Sequence, residues 1–130
     1  MKRRALVVDD NDAVRKVLPA LLEVHNYDTE VTDNPENALE IIAQRQFDVV
    51  FTDYEMPGMN GIELARVVRE KSPHSTIILM TGLAASDLFR SSRADGFLQK
   101  PFSVDALREA LDDAARRRRG DGSLESSTQD

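Results

Sequence analysis

Residues 47–59 read FDVVFTDYEMPGM. Val49, Val50 and Phe51 form an unbroken apolar run, partly β-branched, with no polar position inside it. A strand with one wet face alternates apolar and polar residues; a strand covered on both faces does not. The run therefore predicts a buried strand of a parallel sheet. It stops at Asp53. Glu55, the breaker Pro57 and the glycines Gly58 and Gly61 follow, opening another amphipathic stretch. Open α/β sheets place their chemistry in the crevice outside the carboxyl ends of the strands. Asp53 stands at such an end.

The same pattern repeats outward from this strand. On the amino-terminal side, Ala5–Val8 is a short buried strand ending in Asp9-Asp10, and Asn11 or Asp12 can cap the helix that follows. Val14, Val17, Leu18, Leu21 and Leu22 give that helix its apolar stripe, with Pro19 predicting a kink inside it. Tyr27–Thr32 is more polar, as an edge strand would be. Asn34 and Pro35 open a helix with Ala38, Leu39, Ile41 and Ile42 on its buried face. On the carboxyl-terminal side, Ile62–Lys71 is helical and stops at Ser72-Pro73. Ile77–Met80 is a fourth strand ending at Thr81-Gly82, and residues 86–92 form a weak helix. Gly96–Gln99 is a short fifth strand ending at Lys100-Pro101. Ser103 caps a last helix bearing Leu107, Ala110, Leu111 and Ala114. Strand and helix thus alternate five times, which predicts a doubly wound α/β domain over residues 1–119, with 120–130 a disordered polar tail.

Composition narrows the function. The chain has 130 residues, enough for one core, and no cysteine, which excludes a disulfide scaffold, a thiol nucleophile and a cysteine zinc site. A net charge of −6 argues against nucleic acid as the main ligand. No apolar run is long enough for a membrane span, so a cytoplasmic protein is expected. His25 and His74 are expected at the surface, and the Arg116–Arg119 run is expected to be solvated at the helix end.

What remains is a set of polar strand ends. Asp9, Asp10, Asp53, Thr81 and Lys100 lie on one edge of a parallel sheet. Crowded carboxylates need a cation to stay ionised, and an all-oxygen ligand set suits Mg²⁺. Lys100 and Thr81 could serve further phosphoryl oxygens. Asp53 could then attack phosphorus in line and form an acyl phosphate.

In order, VVDDN, FTDYEMPGMNGIEL, ILMTG and GFLQKPF resemble the motifs of the receiver domain of two-component response regulators, over about residues 3–117. The resemblance implies a flavodoxin-like (βα)5 fold with strand order 2-1-3-4-5. It implies that Asp53 is the phosphoacceptor, that Asp10, Asp9, Asp53 and the Glu55 backbone carbonyl hold Mg²⁺, and that Lys100 and Thr81 meet the phosphoryl group. It further implies a Thr81/Phe97 switch, a cis Lys100–Pro101 bond, and Glu55 and Leu83 flanking the path of hydrolytic water. Residues 81–100 are slightly shorter than in typical members, the loss falling on the weak helix.

Three functions compete. In the first, a stand-alone receiver takes a phosphoryl group from a sensor histidine kinase or a histidine phosphotransfer protein. It signals through the face of its last helices to a protein partner or a second copy, and it is no metabolic enzyme. The start at Met1 favours a whole protein over a piece of a hybrid kinase. The second is an Mg²⁺-dependent phosphohydrolase of the haloacid-dehalogenase kind, with Asp10-Asn11-Asp12 as its Asp-x-Asp. The third is a receiver-like module that binds partners without phosphorylation.

Overall fold

The computed structural model describes residues 2–82 and 92–123, the side chains of residues 120–123 excepted. Nine elements follow one another among these residues: β1 (Arg3–Val8), α1 (Asp12–Val24), β2 (Tyr27–Thr32), α2 (Pro35–Gln44), β3 (Val49–Asp53), α3 (Gly61–Lys71), β4 (Thr76–Thr81), β5 (Gly96–Gln99) and α4 (Val104–Ser123). All strand pairs are parallel, in the order β2-β1-β3-β4-β5. The predicted weak helix at 86–92 falls almost wholly outside the described residues, as does Leu83.

Alternate residues of the central strands feed two cores. Ala5, Val7, Phe51, Ile78 and Met80 pack with Leu18 and Leu22 of α1 and Leu107 and Ala114 of α4. Leu6, Val8, Val50 and Ile77 pack with Ala38 and Ile42 of α2 and Leu64, Ala65 and Val68 of α3. Residues 5–8 of β1 and all of β3 are buried on both faces, which is why these stretches run without alternation. β2 lies at one edge and keeps several exposed positions.

Local signals explain the helix starts. Asn11 accepts from the backbone of Ala13 and Val14, so it, rather than Asp12, caps α1. Asn34 caps α2 with Pro35 in the first turn, and Ser103 accepts from Ala106 at the start of α4. Asn60 and Glu63 form a reciprocal capping box on α3.

Two expectations need correction. The apolar stripe of α1 is narrower than its spacing suggests: Leu18 and Leu22 are buried, whereas Val17 is 54% exposed. Periodicity finds a helix face, but its flank lies beyond the reach of the sheet. The last helix does not stop at Arg119 but continues to Ser123, so the first residues of the expected tail are helical. No described helix is long and apolar enough to cross a membrane.

Candidate functional site

The sheet register brings the polar strand ends together. Val8 pairs with Thr52 and Asp53 with Met80, so the residues that leave β1 and β3 stand side by side. The backbone N–H of Asp9 donates to the carbonyl of Thr32, that of Tyr54 to Met80, and that of Lys100 to Thr81. Each polar end is thus fixed by a bond to the neighbouring strand.

Asp9 and Asp53 are buried and Asp10 is exposed. One carboxylate oxygen from each lies within 4.8 Å of the others. Lys100 Nζ stands 2.9 Å from Asp9 Oδ2 and 3.0 Å from Asp53 Oδ1. The other oxygen of Asp9 accepts from the backbone of Asn11 at 2.9 Å, so Asp9 has both oxygens engaged. Asp53 Oδ1 is buried and accepts no hydrogen bond; its contact with Lys100 is an ion pair without hydrogen-bond alignment. Burial pushes the Asp53 carboxyl up to about 6 against the pull of Lys100, and the charges of Asp9 and Asp10 add to the rise. Burial works against the Lys100 ammonium, but Asp9 and Asp53 outweigh it and hold its pKa above 10.5.

This donor set fits a hard cation. It is all oxygen, two of its carboxylates are buried with a single ammonium between them, and one buried oxygen lacks a hydrogen-bond donor. Asp12, by contrast, pairs with Arg15 and lies outside the carboxylate cluster. An Asp-x-Asp site at residues 10–12 is therefore disfavoured.

Gly61 lies against the end of β3. Its N–H donates to the Tyr54 carbonyl at 2.9 Å, and a Cβ there would sit 2.3 Å from the carbonyl oxygen of Asp53. Only glycine lets α3 start this close to the backbone of Asp53.

The sequence matches the family described as the response regulator receiver domain over residues 5–112. The chain belongs to the response regulator receiver family. Sporulation initiation phosphotransferase F of Bacillus subtilis is 31% identical over 114 residues, a match covering 85% of this chain and 92% of that protein. Response regulator protein FleR of Pseudomonas aeruginosa is 35% identical over 111 residues, a match covering 82% of this chain but only 23% of that protein. A solved structure described as a response regulator protein from Burkholderia pseudomallei with a phosphorylated aspartic acid, calcium ion and citrate superposes with a TM-score of 0.79. It is 25% identical, with 96% of this chain and 75% of that one covered.

Within the receiver, Asp9, Asp10, Asp53 and Lys100 meet as the strand ends predict, and Thr81 is fully buried on β4 beside them. The Lys100–Pro101 peptide bond is cis. Phe97 is half-buried on edge strand β5, beside a shallow groove lined also by Gln99, Pro101, Phe102, Ala106 and Glu109. Glu55 is exposed in the loop after β3.

Two contacts escape the sequence reading. Arg15 Nη1 donates to the backbone carbonyl of Asp9 at 2.8 Å. At the opposite edge of the sheet, Arg69 Nη2 donates to Asp95 at 2.6 Å and Asp95 accepts from the backbone of Ile77 at 2.9 Å. Arg118 joins them, 3.7 Å from Asp95 and bonded to the carbonyl of Pro73. At least this member of the Arg116–Arg119 run is therefore structural.

Proposed function

We propose that this receiver accepts a phosphoryl group on Asp53 from a phosphohistidine donor and passes the change to a protein partner. The observation that carries the reading is the convergence of Asp9, Asp10 and Asp53 around one point with Lys100 across it. With a pKa of about 6, Asp53 is mostly ionised at pH 7, in a ratio of roughly ten to one, and so is a competent nucleophile. An Asp53 oxygen attacks the phosphorus in line; the phosphorus–nitrogen bond of the donor breaks, and its electron pair leaves with the imidazole.

Asp9, Asp10, Asp53 and the backbone carbonyl of Glu55 would hold Mg²⁺, which when bound neutralises charge on the phosphoryl oxygens. Lys100 exchanges its contact with Asp53 Oδ1 for a phosphoryl oxygen. The Thr81 hydroxyl donates to another, and Phe97 turns inward as Thr81 moves. Glu55 and Leu83 flank the approach of water and tune the lifetime of the acyl phosphate. The donor is a sensor histidine kinase or a histidine phosphotransfer protein. Output runs through the face formed by β5 and the last helix to a protein, a second copy included. The protein works in the cytoplasm and is no metabolic enzyme. Because the match spans 23% of FleR, a receiver within a longer chain is the second reading beside a stand-alone switch.

The test is intact mass after incubation with Mg²⁺ and acetyl phosphate, beside Asp53→Asn. Gain of one phosphoryl group by the wild type alone is expected. Equal gain by the variant would move the acceptor elsewhere. No gain by either, from acetyl phosphate or from a phosphorylated histidine kinase, would leave a partner-binding module without phosphorylation.

A further inference from the structure

Asp10 is the exposed member of the carboxylate cluster, so its direction depends on the backbone that carries it. That backbone is a short loop between β1 and α1, and Arg15 closes it. From the first turns of α1 the guanidinium reaches back, with Nη1 donating to the carbonyl of Asp9 at 2.8 Å and Nη2 paired with the carboxylate of Asp12. The carbonyl of Asp9 belongs to the peptide unit whose nitrogen is that of Asp10. Fixing it fixes the plane from which the Asp10 side chain departs. The Arg15 side chain is only 21% exposed, and its planar fork suits two acceptors held apart by the loop. The other ties on the loop act on its neighbours: the Asn11 N–H on Asp9 Oδ1, and the Asn11 side chain on Ala13 and Val14.

We propose that Arg15 is a positioning residue for the metal site, setting the Asp9–Asp10 peptide so that the Asp10 carboxylate faces Asp53. The role rests on the cation-binding reading given above. It opposes a simpler effect of the same side chain. A cation near a cluster of carboxylates repels Mg²⁺, so if charge alone mattered, removing Arg15 would tighten metal binding.

The measurement is direct Mg²⁺ affinity without phosphodonor, followed by backbone amide NMR of the full chain, for wild type, Arg15→Ala and Arg15→Lys. The lysine variant keeps the charge and loses the fork. Both variants are expected to bind Mg²⁺ more weakly by about three- to tenfold, at or below the lower end of what outer partners of metal ligands contribute. In the metal-free variants the Asp10 amide resonance should shift while those of Phe51 and Ile78 stay in place, which marks a local change in a folded protein. Wild-type affinity in Arg15→Lys, or unchanged or tighter binding in Arg15→Ala, would overturn the role of Arg15 alone. A wild-type protein that binds no Mg²⁺ at millimolar concentration would remove the metal site, and this role with it.

Discussion

Asp53 is kept in the fold at a cost. Its carboxyl is buried beside two others, and its pKa is raised from 3.8 to about 6. Between those values the folded state binds a proton that the unfolded state has released. This group's contribution to stability is therefore fully present below pH 3.8 and is lost as the pH rises through about 6. Asp53→Asn removes the charge and keeps the shape. In EDTA at pH 7.5 the variant should be more stable than the wild type by about 1–2 kcal/mol, a figure already reduced for solvent at the open edge of the sheet. The gap should close below pH 4. Urea denaturation across that range checks it, and a variant less stable than wild type at pH 7.5 would contradict the account. Mg²⁺ should reverse the order, because the wild type alone keeps the full ligand set.

At the scale of elements, the sheet has a polar anchor at the edge opposite its carboxylates. Arg69 of α3 donates to Asp95 and to the carbonyls of Ser75 and Arg93, while Arg118 of α4 approaches Asp95 from the other side. Asp95 is 8% exposed. Arg69→Ala would leave the buried Asp95 carboxylate with the Ile77 N–H and the Arg118 guanidinium 3.7 Å away, and a loss of about 3 kcal/mol, the lower end for a broken buried pair, is expected in chemical denaturation. Arg116→Ala breaks an exposed pair one turn apart and should stay within about 0.5 kcal/mol. The sequence made the elements themselves legible. Asn11, Asn34 and Ser103 mark helix starts, and the apolar runs mark strands buried on both faces. It could not reveal this anchor, because Arg69 and Asp95 are 26 residues apart and Arg118 and Pro73 are 45 apart. No spacing rule reaches that far, and a basic run at a helix end looks the same solvated or bonded. The carboxylate site was legible for the opposite reason: parallel strands bring their carboxyl ends to one edge whatever the chain length between them. The tie from Arg15 was hidden because its acceptor is backbone, and a sequence shows no distinction among carbonyls.

At the scale of the whole molecule, two cores share one sheet. Leu18 belongs to the core under α1 and α4, Leu64 to the core under α2 and α3, and both are fully buried. Leu18→Ala and Leu64→Ala should each cost about 2–5 kcal/mol. Because the sheet separates them, the double variant should lose the sum within about 0.5 kcal/mol, and each single variant should still unfold in one transition. Separate transitions would mean that the two faces melt independently. Lys100 meets Asp9 across 91 positions of the chain. A ribosome adding roughly 5–20 residues each second delivers Asp9, Asp10 and Asp53 seconds before the ammonium that sits between them. During that interval the nascent chain has three acids to gather and no Lys100 to stand between them, so the edge that would do the chemistry is the last to close.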